Sequence, residues 1–179
     1  MTQTKTILGL SLAAIFVAMI VPALADGHLT ITEGEVSSTG TVTRVDITTA
    51  GDLSSADGAF GYGVVAENGV VAFTTHGGVG PDSEKMKDQS DAVMHTHLVA
   101  LVPNSACVNT GLQAIPSFEE VGHAKVSGDS LKVTAIPTSV TGELSTTFVS
   151  FGLSIIGDAA SPDAICIETP TFFDFSEED

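Results

Sequence analysis

The chain predicts an all-β fold, a single antiparallel β-sandwich or barrel, Ig-like or cupredoxin-like in general architecture. Three observations carry this. After residue 25 the apolar residues come in short runs rich in Thr, Val and Ser, without the 3.6-residue period of an amphipathic helix. Gly, Pro, Asn and Asp punctuate those runs, which is the grammar of strands and turns. The runs recur every 8–12 residues or so, as in a sandwich or barrel, and do not alternate with helical stretches as in parallel α/β folds.

The predicted strands are 28–32, 41–48, 60–67, 70–76, 92–102, 107–113, 120–126, 130–136, 144–156 and 164–175. The second shows the alternation of a half-buried strand, Val42, Arg44, Asp46 and Thr48 against Thr41, Thr43, Val45 and Ile47, with a slip at the first pair. Glu67-Asn68-Gly69-Val70 is the sharpest turn signal, because Asn-Gly tolerates the positive φ of a tight hairpin, and it joins 60–67 to 70–76. Ser127-Gly128-Asp129 makes a weaker hairpin between 120–126 and 130–136. The one helical candidate, Pro81 to Asp88, is short and sits inside a long loop, 77–91, of the length that suggests a lid or an insert.

The first 25 residues read as a signal peptide: Lys5 opens it, Ile7 to Val21 is uncharged and apolar, and Ala23-Leu24-Ala25 suits signal peptidase. The expected product, 26–179, is one secreted or extracytoplasmic domain ending in the acidic tail 176–179. Lys5 is one of the 6 bases while all 22 acids follow residue 25, so this is an acidic protein. Such a charge excludes nucleic acid and anionic membrane as partners, since both are bound by Lys and Arg. Outside the cytoplasm two cysteines tend to pair, so Cys107 and Cys166 are expected to form a disulfide.

Five histidines carry the chemistry. On a strand, His95 and His97 share one face with Val93, Val99 and Leu101, about 6.5–7 Å apart, a spacing at which two imidazoles converge on a transition metal. His76 and His123 are the candidates to close the site. Cleavage after Ala25 would expose Asp26-Gly27-His28, whose amine, two amides and imidazole suit square-planar Cu(II) or Ni(II).

His95-X-His97 with the two cysteines resembles loosely the copper/zinc superoxide dismutases, in which a His-X-His strand carries copper and a disulfide ties a loop to the barrel. That family's Gly-rich zinc loop with its further histidines is missing, so dismutase activity is not implied. Neither cysteine has a histidine close behind it, which excludes the late Cys-His-Met cluster of blue-copper proteins. No Gly-X-Ser-X-Gly elbow occurs. Asp82, Glu84, Asp88 and Asp91 match no calcium-loop spacing, so calcium is disfavoured; copper is expected, with zinc as the alternative metal. The functional expectation is extracellular metal binding, delivery or storage. Its alternatives are a non-catalytic cell-surface or envelope module, adhesive or structural, with structural histidines, and, behind that, a metal-dependent enzyme. No nucleophile or general-base arrangement is visible, which leans against an enzyme.

Overall fold

The computed structural model describes residues 27–76, 94–158 and 161–176. The expected signal peptide, the 77–91 loop with its helical candidate, and all but Ser176 of the acidic tail lie outside these residues.

Ten strands form among the described residues: β1 (Ile31–Thr39), β2 (Val42–Thr49), β3 (Phe60–Ala66), β4 (Gly69–Thr75), β5 (His95–Pro103), β6 (Leu112–Glu119), β7 (His123–Ser127), β8 (Ser130–Pro137), β9 (Leu144–Asp158) and β10 (Ser161–Asp174). They make two antiparallel layers, a closed barrel in the order β10-β6-β5-β4-β3-β9 and a four-stranded sheet in the order β1-β2-β8-β7. The sheet packs on one side of the barrel, so the architecture joins both expected alternatives. The only α-helix among the described residues is the single turn α1 (Thr138–Thr141), which links β8 to β9.

Side-chain alternation explains how one set of strands serves two cores. Phe60, Tyr62 and Val64 of β3, Val71 and Phe73 of β4, Leu98 of β5 and Phe148 of β9 face the sheet, where they meet Val45, Ile47, Leu131, Val133 and Ile136. The residues between them face the barrel interior: Ala72, Val99, Val149 and Phe151, joined there by Ile167 of β10. Gly61 and Gly63 occupy the inward positions of β3, and a Cβ at either would collide with side chains that lie across it, Phe151 and Thr74 or Val70 and Val149. Gly34 of β1 likewise lets the rings of Phe148 and Phe175 close over the strand.

Three expectations shift in position. The first strand runs Ile31–Thr39, well past 32, because β1 is covered on one face only and its Glu33, Glu35, Ser37 and Ser38 hide the pattern. The β3–β4 turn is Glu67-Asn68, one residue earlier than the Asn-Gly signal, with Ala66 paired to Gly69. Gly69 is needed for its φ of 144° and for its approach to the Val99 carbonyl, 2.6 Å from a built Cβ. Finally, 107–113 is largely a turn, and β6 begins at Leu112; Pro116 and Ser117 within it masked the strand.

The barrel closes through a thin seam, since β10 meets β6 in a single paired position, Cys166 with Gln113. The turn before β6 supplies the rest. Cys107 bonds to Cys166 with Cα atoms 5.3 Å apart, as the cysteine count predicts. Thr110 Oγ1 donates to the Ile167 carbonyl at 2.6 Å, and Asn109 donates to the Glu168 carboxylate. The start of the described chain is tied down too: the Tyr62 hydroxyl donates to the His28 carbonyl, and Ser150 Oγ to the Leu29 carbonyl at 2.6 Å.

Replacing Cys107 and Cys166 together by Ser should lower unfolding stability by about 2–4 kcal/mol in urea titrations, the usual value of such a cross-link. Phe148→Ala, at the centre of the interlayer core, should cost about 3–5 kcal/mol in the same assay. Tyr62 is the single tyrosine, and burial raises its phenol pKa well above the ordinary value of 10.0. Its neutral form is therefore favoured by the fold: this stabilisation is complete below about pH 10 and declines above it as the unfolded chain ionises. Absorbance at 295 nm should show no tyrosinate until the far-UV circular dichroism is lost, and ionisation at ordinary pH in the folded state would contradict the burial.

Candidate metal centre

His76, His95 and His97 meet at the β4–β5 end of the barrel. Antiparallel register places Ala72 opposite His97 and Thr74 opposite His95, and His76 follows β4 directly. Ala72, Thr74 and His76 lie on one face by the period of two, as do His95 and His97, so the three imidazoles turn towards the barrel interior.

The rings contact edge to face, with centroids 4.8 Å apart for His76 and His95 and 4.7 Å apart for His95 and His97. His95 and His97 are buried, 4% and 5% exposed, while His76 is half-buried. The Nδ1 atoms of His76 and His97 are both shut off from solvent. Thr74 Oγ1 lies 3.4 Å from His95 Nε2, close enough to hold that ring's orientation.

One nitrogen from each ring lies within 4.8 Å of the other two. Two nitrogens on a single ion, each at about 2 Å, stand no more than about 4 Å apart. The widest separation must therefore close by about 1 Å on loading, which small χ rotations of three rings on one wall can supply. Both cysteines are in the disulfide, so the donors gathered here are imidazole nitrogens alone. Neutral imidazole is a ligand for copper, zinc, nickel and iron, and three of them leave a coordination position over.

The structure gathers three of the four histidines proposed for this site and leaves His123 out. His123 pairs with Thr134 on the edge strand β7, is exposed, and is not part of the cluster. It belongs to the sheet layer, whereas the cluster belongs to the barrel. At the proposed terminal site, Asp26 lies outside the described residues. Gly27 and His28 form a 3-10 turn with Leu29, and the His28 ring packs on Phe60 with centroids 4.5 Å apart.

Thr74 was not anticipated, although its register with His95 follows from the β4–β5 pairing. Nor was the cavity of about 350 Å³ inside the barrel, whose wall includes His76 and His97. No protein-family model, curated protein or solved structure matches the chain.

Proposed function

We propose that this protein is an exported copper-binding protein whose site is the imidazole cluster of His76, His95 and His97. The observation that carries the reading is the convergence of three ring nitrogens within 4.8 Å on a largely buried wall. Burying adjacent ionisable rings is costly unless they serve as partners or ligands, and a bound divalent ion gives all three a role at once. Copper is preferred over zinc because a nitrogen site of given geometry holds Cu(II) more tightly along the first-row series. Calcium is disfavoured by the same donors, since it takes oxygen ligands. Export follows from the leader-like first 25 residues and agrees with the disulfide, a bond that persists in oxidising compartments. Binding, delivery or storage of the metal is the role this arrangement suits.

The test uses folded His28→Ala protein, so that the chain terminus contributes no imidazole. After dialysis against Cu(II) it should retain one copper per chain, with nitrogen hyperfine structure in the electron paramagnetic resonance spectrum. His95→Ala with His97→Ala should remove that copper while the circular dichroism stays β-rich. Retention unchanged in the double variant would refute the ligand set, and absence of copper from the parent would favour a surface module with structural histidines. Thr74→Val should weaken the retained copper about tenfold in competition with a chelator, as loss of a group that orients a ligand does.

A further inference from the structure

The barrel behind the histidines is hollow. Its cavity of about 350 Å³ is walled by side chains from all six barrel strands. The wall is almost entirely aliphatic and aromatic, with Val99, Val149, Phe151 and Ile167 as its buried centre. Ala72 and Ala114 are short where larger side chains would fill the space. Among the described residues the polar side chains on this wall are Thr74, His76 and His97, on the β4–β5 edge.

The cavity also opens to solvent. Val70, Ala114 and Leu153 are inward-facing members of the barrel cluster yet only half-buried. Val65 and Leu101 line the cavity and are 38% and 42% exposed, and Phe172 on the same wall is 66% exposed. Leu101 stands four residues beyond His97 on β5, about 13 Å at the rise of a strand. Val65 and its partner Val70 sit at the same far end of the β3–β4 hairpin, away from His76. A passage thus runs from an apolar mouth to the imidazoles.

We propose that the lumen binds one small, uncharged, largely apolar molecule, admitted past Val65, Leu101 and Phe172, with its inner end against His97. An apolar cavity of about 150 Å³ holds a benzene and stays dry without it, so this one has room for a bicyclic arene or a short branched hydrocarbon chain. Its volume falls within the range of small-molecule pockets, and its character matches theirs, mostly apolar walls with a few polar groups at one end. Among the described residues no Lys, Arg, Asp or Glu lies on the wall, which disfavours a charged ligand, since it would find no counter-ion there. This inference goes beyond copper binding and does not rest on it.

Naphthalene is the probe, because it is uncharged and has no atom that coordinates a metal. Folded protein, carrying ¹³C-labelled methyl groups and held in excess EDTA, should bind it saturably at one per chain. Methyl shifts should be confined to lumen residues such as Val99, Leu153 and Ile167. Val70→Phe, which fills the passage near its mouth, should weaken uptake about tenfold, and Val108→Ser on the outer surface should leave it unchanged. No saturable uptake, shifts at surface methyls such as Val108, or undiminished binding by a folded Val70→Phe variant would each overturn the proposal. The wild-type shifts decide the matter even if that variant does not fold. Copper retention is read on separate EDTA-free samples of the same proteins, so failure of one site is not mistaken for failure of the other.

Discussion

The antiparallel register between β4 and β5 is the constraint on which the site depends. With Ala72 opposite His97 and Thr74 opposite His95, both histidines of β5 share the barrel interior with His76. A slip of one residue would exchange the faces of β5. Leu98 would then leave the interlayer core and the imidazoles would enter it, losing at once the hydrophobic contacts with the sheet and the meeting of the rings. Register here is held by Gly69 against the Val99 carbonyl and by apolar side chains that match on both faces. A site made of side chains two residues apart on one strand inherits its precision from that ladder.

Much of this was legible in the residues. The strand-and-turn grammar located eight of the ten described strands within a few positions, because strands buried on both faces, such as β3 and β4, read as continuous apolar runs bounded by turn residues. Edges were harder: β1 has polar residues on its open face and β6 carries Pro116, so neither announced its full length. The pairing of His95 with His97 followed from the period of two alone. His76 and His123 looked equally able to join them, since which strands become neighbours is decided by the way the chain divides between barrel and sheet, a property no local pattern records. The hollow in the barrel was invisible for a related reason: it arises from side chains of all six barrel strands whose sizes fall short of filling a shared space.

The seam between β10 and β6 shows how the barrel is closed where the ladder is weakest. One paired position would leave the edges of both strands open, and open edges are where sheets fray or add foreign strands. The turn before β6 substitutes side-chain bonds for the missing ladder: a disulfide, a threonine hydroxyl on a carbonyl and an asparagine on a carboxylate. One of these bonds is covalent and two are hydrogen bonds, and the covalent one holds only while its thiols stay oxidised.

The two-sidedness of β3 has a consequence for how this protein can change over generations. Phe60, Tyr62 and Val64 glue the layers together, while Gly61, Gly63 and Val65 shape what the barrel encloses. Gly61 and Gly63 have no room for a Cβ, so Val65 is the odd-numbered position of the three that can change in bulk and reshape the lumen, while the even-numbered ones keep the scaffold standing. Neighbouring codons thereby answer to separate selective pressures, and a lineage could alter the lumen while its outward form stays the same.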